Sequence, residues 1–262
     1  MNQNQSMRTP STLFFFLFSF LFCFGQNVKE MTPTLGNLIE LGPEKEAEFA
    51  KKQKRCEELW EQVERNGSFE DLSKQDQIFL ENCSETIESI YDVIGGGCSW
   101  YCAAGEDTNT ASSHLKPFKN NDYSPNNIHD LSYKTAWIEG VDGYGIGENI
   151  TYHFPPQNPR ITEIIVVNGY VKSKKAWQEN SRVKKLKMYI DNKPFAILNL
   201  EDCRNEQIFT FEPIGNSDRS DYEKLQNKPW WTIKFEILDV YKGDKYDDTA
   251  ITEIYFDGID AH

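Results

Sequence analysis

Glu139 and Glu148 are the first side chains of this 262-residue chain whose types and spacing could do chemistry together. Two carboxylates flanking a bond are the working pair of a glycosidase. Yet Asp and Glu number 41 here, so such pairs arise freely in a sequence this charged. No Ser/His/Asp set and no Cys/His pair accompanies them. The four histidines, His114, His129, His153 and His262, are scattered. His153 takes a polar position of an alternating stretch and His129 sits in a turn, so neither is placed as a general base. Gly95-Gly96-Gly97 lacks a following Lys-Ser/Thr, and the glycines from Gly143 to Gly147 run into strand residues, so neither cluster cradles phosphate. Cys98 and Cys102 have no second ligand pair, which argues against zinc. The expectation is a protein without catalytic machinery.

What remains is chemistry of binding, and it centres on the loop before Trp137. Asp130, Ser132 and Thr135 place oxygen donors in one turn-forming segment, and Trp137 follows as a large apolar anchor. Gly140, Gly143, Gly145 and Gly147 then permit positive φ before the next strand. The formal charge of −13 and a pI near 4.8 disfavour nucleic acid and anionic membrane surfaces, both of which call for a basic face.

The elements that would position these residues follow from period. Beyond residue 95 it is two: Ile150, Tyr152 and Phe154 alternate with polar residues, as do Leu186, Met188 and Ile190, and Trp231, Ile233, Phe235 and Ile237. Further strands fit residues 161–167, 195–200, 207–211 and 251–256. Repeated short strands with no amphipathic helix between them predict a mainly β chain built as an antiparallel sandwich. Before it, residues 44–64 carry Phe49, Cys56, Leu59, Trp60 and Val63 on one helical face, stopped at Asn66-Gly67. A second helix is expected over residues 74–90, with Ile78, Phe79, Cys83, Ile87 and Ile90 inward, giving an α-helical hairpin. Its two readings are a cap packed on the sandwich and a partner-docking arm. The apolar run at residues 13–24 is short for a membrane span and ends at Gly25 before polar Gln26, which predicts a secretory signal over residues 1–25. The remaining division is a linker and hairpin over 26–94 and a sandwich over 95–262. No later segment is expected to span a membrane. Five cysteines are left after such a cleavage, and the expected pairs are Cys56 with Cys83 and Cys98 with Cys102, leaving Cys203 over.

Several separated motifs in order carry a family resemblance: Cys98-Ser99-Trp100-Tyr101-Cys102, His129-Asp130, Thr135-Ala136-Trp137-Ile138-Glu139-Gly140, Gly145-Ile146-Gly147-Glu148, Asn168-Gly169-Tyr170, Asn180-Ser181-Arg182-Val183-Lys184, Val240-Tyr241-Lys242-Gly243 and Asp247-Asp248-Thr249-Ala250-Ile251-Thr252-Glu253-Ile254. With them the region from Cys98 to Gly258 resembles the NAD glycohydrolase-type glycan-binding (translocation) domain. This is a discoidin or coagulation-factor type C-like branch of the galactose-binding-like jelly rolls. The resemblance implies a jelly-roll sandwich that binds a glycan or cell-surface glycoconjugate. It does not extend to the hydrolase, for which no length is expected after the last strand. It further implies a structural Ca²⁺ held by Asp130, Thr135 and Glu253, against which stand an Asx turn at Asp130 and a surface salt bridge at Glu253.

For the sugar, an aromatic face and planar amide, carboxylate or guanidinium groups are needed on loops at one end. Tyr170, Lys172, Trp177, Asn180 and Arg182 offer both kinds, with Trp177 as the expected stacking ring or else a plug over the sandwich end. Glu139, Tyr144 and Glu148 are expected to face the same end with Tyr241 and Asp248 near, and Trp137 in the core. The alternative function is an extracytoplasmic protein-interaction or structural domain with no sugar ligand.

Overall fold

The computed structural model describes residues 28–83, 86–94, 99–104 and 108–261. In chain order the elements are β1 (Lys29–Met31), β2 (Thr34–Leu38), α1 (Pro43–Asn66), α2 (Lys74–Glu81), β3 (Thr108–Ala111), β4 (Trp137–Ile138), β5 (Asn149–Phe154), β6 (Arg160–Asn168), α3 (Lys174–Glu179), β7 (Ser181–Ile190), β8 (Lys193–Asn199), β9 (Asn205–Ile214), α4 (Tyr222–Gln226), β10 (Trp231–Tyr241) and β11 (Thr249–Ile259).

The strands lie in two layers, as the alternation requires. One runs β2-β9-β6-β11, with β4 on β11; the other runs β1-β8-β7-β10-β5-β3. In the second layer Trp231, Ile233 and Phe235 stand opposite Phe154, Tyr152 and Ile150, so the apolar sets of β10 and β5 share one buried face. That face packs on the other layer through aromatic edges. Tyr152 and Phe154 meet Phe256 of β11 at centroid distances of 5.0 and 5.3 Å. Each such fully buried ring contributes about 2–3 kcal/mol. Pairing is antiparallel except along two short stretches, β1 on β8 and the seam where Thr249 and Ala250 of β11 meet Ser181 and Arg182 of β7. The chain is thus a mainly β, jelly-roll sandwich preceded by a helical pair.

β6 and β11 do not alternate. Their outer face is covered as well, by a second apolar cluster of Ile39, Tyr133, Ile165, Val167, Val171 and Tyr255, so both faces of these strands are apolar.

The expectation of a linker before the helices is corrected. Residues 29–38 close one side of the sandwich: Met31 pairs with Leu198 in one layer, and two residues after β1 ends Thr34 begins pairing with Ile208 in the other. Strands of three and five residues are too short to show a period. Asn199 donates to Met31 O of β1, and buried Glu206 holds β2. Its Oε1 accepts the hydroxyls of Tyr133 and Tyr255, each at 3.0 Å, and its Oε2 accepts Asn37 N at 3.1 Å. A Cβ on Gly36 would lie 2.9 Å from that Oε2, so any larger residue there would have to displace the carboxylate.

The second helix is also corrected, for α2 ends at Glu81 and not near Ile90. Asn82 turns back to cap it, its Nδ2 donating to Ile78 O at 2.7 Å, and Cys83 leaves the axis to bond Cys56. Ile78, expected inward, is 58% exposed. The hairpin instead packs through Leu59, Leu72 and Leu80. The expected signal segment lies outside the described residues. Among those described, no helix is long and apolar enough to cross a membrane.

With so small a core of its own, the hairpin depends on the Cys56–Cys83 bond, which closes a loop of sequence separation 27. That closure is worth about 3 kcal/mol in the chain-entropy model. Replacing both cysteines by serine is expected to abolish slow amide exchange in α1 and α2 while leaving β5 and β10 protected. Hydrogen exchange read by mass spectrometry checks this.

Candidate functional site

Strand register brings four loops to one end of the sandwich. β6 ends at Asn168 and β7 begins at Ser181, opposite both the last residues of β10 and the first of β11. Ala250 of β11 faces Ile138 of β4. The connections over residues 112–136, 139–148, 169–180 and 242–248 therefore meet. Between the first, third and fourth of them lies a cleft of about 560 Å³. Tyr170 and Asn180 form one side, Tyr246 and Asp248 another, and Leu115 to Phe118 a third, over Tyr123 and Ile138.

Two of these sides are joined by backbone. α3 ends in bare carbonyls, and the loop after β10 supplies its N–H groups to them. Asp244 N donates to Gln178 O at 2.9 Å, and Lys245 N and Tyr246 N donate to Glu179 O at 3.2 and 2.8 Å. Ser181, fully buried, ties the same loop: its N–H reaches Asp248 O, its hydroxyl donates to Tyr246 O, and it accepts Gly243 N. The approach is so close that a Cβ on Gly243 would come within 2.5 Å of Glu179 O. The third side is a tight turn in which Phe118 and Asn121 exchange both backbone hydrogen bonds around Lys119 in a left-handed conformation. It presents Phe118 with 63% of its surface exposed.

Of the residues expected to touch sugar, Tyr170 and Asn180 line the cleft. Tyr170 stands edge-on to Tyr123 and its hydroxyl donates to Lys134 O, and burial pushes its pKa up to about 12. Asn180 donates to Ala176 O at 2.8 Å, which leaves its carbonyl oxygen for a ligand. Lys172 stands at the margin, its ammonium 4.4 Å over the Tyr170 ring.

Arg182 is corrected. It is 7% exposed, forks onto Asp202 at 2.7 and 3.1 Å, and donates to the carbonyls of Trp177 and Asn180. Trp177 lies against it, 4.4 Å from the guanidinium carbon, with Nε1 donating to Asn168 O. Arg182, the second residue of β7, points into the joint between the layers, and half-buried Trp177 packs over it. Glu139 is buried too: its carboxylate accepts Val141 N and Thr249 N at 2.9 and 3.1 Å. Glu148 accepts Ser112 Oγ, so the two glutamates serve separate backbone and hydroxyl partners. Tyr144 lies under Lys242, and the Tyr241 hydroxyl donates to Leu200 O, away from the cleft. Lys116, Phe118, Tyr123 and Tyr246 were not singled out by sequence. For the first three the signal was an aromatic and proline stretch without any period, which cannot belong to a strand core, whereas Tyr246 lies in a charged loop that offers none.

The three residues matched to a calcium site do converge. Thr135 Oγ1 donates to Asp130 Oδ2 at 2.7 Å, and Ser132 N lies 3.2 Å from Asp130 Oδ1 and 3.0 Å from Glu253 Oε1. Glu253 is fully buried, and its Oε2 has no hydrogen-bond partner. Burial first, then the Asp130 carboxyl beside it, pushes the Glu253 pKa well up. Leu131 between the donors is left-handed at φ 56°, a strained conformation for its side chain. An orphaned buried oxygen beside a second carboxylate and a hydroxyl suits a hard cation. No three His, Cys, Asp or Glu side chains converge anywhere among the described residues, so further ligands would be hydroxyl, carbonyl or water oxygens.

Elsewhere, Cys98 lies outside the described residues, and with it the pairing expected with Cys102. Cys203 is a free thiol whose pKa burial raises. His129 sits 2.9 Å from Ile254 O and His153 3.3 Å from Thr110 Oγ1.

Two outcomes test this assignment. Arg182→Ala leaves Asp202 and two carbonyls unpaired and is expected to lower unfolding free energy by about 3 kcal/mol, at the low end for a buried pair because Asp202 is partly solvated; urea denaturation measures it. Burial also raises the Glu139 pKa. A carboxyl more basic folded than unfolded contributes stability below the ordinary carboxylate range and loses it as pH rises through the folded value. Melting temperature is therefore expected to fall over that interval, less so in Glu139→Gln.

A family model described as the NAD glycohydrolase translocation F5/8 type C domain matches residues 100–257. No curated protein matches the chain. Solved structures resemble it at low identity. The CBM32-1 and CBM32-2 domains of Clostridium perfringens ZmpB in complex with GalNAc are 12% identical over 61% of this chain and 34% of that one, with a TM-score of 0.40. The family 32 CBM of C. perfringens NanJ in complex with galactose is 14% identical over 61% and 96%, also at 0.40. C. perfringens CpGH89CBM32-5 in complex with GalNAc-β-1,3-galactose is 13% identical over 62% and 99%, at 0.41. The chain spans about a third of the length of the first of these. With more than half of its residues matched, the chain belongs to the NAD glycohydrolase translocation F5/8 type C domain family.

Proposed function

We propose that this chain is a glycan-binding module that holds a saccharide in the loop-end cleft and does not cleave it. One observation carries the reading: aromatic rings and planar polar groups converge on the same 560 Å³ space. Rings receive the C–H face of a pyranose, and the Asn180 amide and Asp248 carboxylate bridge its hydroxyls. Tyr170 supports the inner wall, while Phe118 and Tyr246 supply the exposed faces. The Cys56–Cys83 bond supports an extracytoplasmic setting, since disulfides persist in oxidising compartments.

Glycan-array binding is expected, lost by about tenfold or more in Phe118→Ala, Tyr246→Ala or Asp248→Ala, with melting temperature nearly unchanged because these groups are outside the core. Silent arrays, or binding indifferent to all three substitutions, would overturn the proposal.

Asp130, Thr135 and Glu253 would hold a calcium ion, whose charge would offset two carboxylates that otherwise face each other. Calcium is expected to raise the melting temperature by several degrees over EGTA in the wild type and not in Glu253→Gln.

A second reading is a protein-docking role for the hairpin, favoured by exposed Ile78 and Trp60. A cell-surface ligand lost with Ile78→Glu but retained by Phe118→Ala would transfer function to α1 and α2.

A further inference from the structure

The rings of the cleft do not stand alone. Lys172 holds its ammonium 4.4 Å over Tyr170, Lys245 lies 4.6 Å over Tyr246, and Lys119 lies 5.3 Å over Phe118. Lys116 lines the cleft directly. The lining offers one acid, Asp248, which is only partly exposed where Lys116, Lys119 and Lys245 are open to solvent; Asp122, Asp244, Asp247 and Glu179 stand on the same loops, outside that lining. Lys116, Lys119 and Lys172 make no ion pair among the described residues. Lys172 reaches the neutral Asn121 Oδ1 at 3.4 Å, and Lys245 is 3.9 Å from Glu179. In a chain of formal charge −13, ammoniums gathered over the rings of one cleft run against the background.

From the lysine ammoniums set over the cleft's aromatic rings, we propose that the cleft selects saccharides bearing a carboxylate over neutral ones. This rests on the glycan-binding reading above. The geometry divides the ligand in two. A pyranose lying on the rings would direct hydroxyl donors toward Asp248, set back at the joint between the layers, and its carboxylate outward to the lysine rim. A ring face already orders each ammonium, so less side-chain freedom is lost when a carboxylate engages it. Contacts of this kind are individually weak at an exposed rim and screened by salt, with a Debye length of about 10 Å at 0.1 M. Several acting together give a preference of about tenfold, and the sign reverses what the net charge alone dictates.

The test compares sugars that differ at one carbon. Methyl hexopyranosides of gluco and galacto configuration are titrated beside the matching methyl hexuronides, with the methyl α-glycoside of N-acetylneuraminic acid as a second carboxylate donor. Binding to the full chain is read by chemical-shift perturbation. The expected result is a carboxylate sugar bound about tenfold more tightly than its neutral partner, with that ratio collapsing between about 20 and 500 mM NaCl. The ratio is also expected to fall in Lys116→Gln/Lys245→Gln, whose folding is checked by its melting temperature. Which carboxylate sugar binds better then separates uronate from sialate sources. Equal binding of the charged and neutral partners, or a ratio insensitive to salt, would overturn the selectivity and leave the glycan-binding reading intact. Failure of every sugar, here and on an array, would remove both.

Discussion

The loop end depends on one short seam, the two residues along which β11 runs beside β7. Five buried polar residues gather at or beside it. Ser181, Thr249, Arg182, Asn168 and Glu139 are all nearly or fully excluded from water. Each is satisfied: Asn168 exchanges two hydrogen bonds with Val183, Thr249 donates to Tyr144 O, and Glu139 takes the Thr249 amide. A buried polar group without a partner costs about 1–3 kcal/mol, so a network of this size is tolerable only when complete. Completion fixes the loops, because most of the partners are loop backbone atoms. The apolar core between the layers supplies the bulk of the stability. The seam decides where the loops that leave it must go.

How much of this was legible in sequence follows from where each residue's constraint originates. β5 and β10 are half-buried strands with one solvent face, so their own residues carry the alternation and the layer could be read directly. β6 and β11 were found despite losing their period, since runs such as Ile164 to Val167 are too apolar for a loop. β1 and β2 were not found, because nothing in their eight residues is decisive; their partners, β8 for β1 and β9 with Glu206 for β2, lie far along the chain. The end of α2 was missed for a related reason. The apolar spacing persists to Ile90, but a covalent bond at Cys83 and the Asn82 cap override propensity locally.

The site shows the same division. Of the residues chosen by type on the loop after β6, Tyr170 and Asn180 line the cleft. Arg182 and Trp177 satisfied the same chemical criteria yet face inward, since direction within a loop is set by the strand it joins. A guanidinium beside a strand start has two fates, ligand contact or joint, and only the position of Asp202 distinguishes them. Phe118 presented the opposite problem. A phenylalanine in an aperiodic stretch attracts no assignment by pattern, although its exposure at a tight turn makes it one of the cleft's most available apolar surfaces.

The contrast between the cleft's walls bears on affinity. Tyr246 and Asp248 hang from a loop whose amides cap α3, and Asn180 follows α3 directly, so ordering them was completed at folding. Little remains to be spent on that side when a ligand arrives. Phe118 is different: its turn is held by two backbone hydrogen bonds of its own, and a ligand against its ring must restrict it. The open shape leaves much of any single sugar hydrated. On the glycan-binding proposal, a preorganised wall facing an adaptable ring would give selection by shape and charge together with modest affinity per site. Tight attachment to a surface would then come from several modules engaged at once, since linked weak sites gain through effective concentration without any new contact.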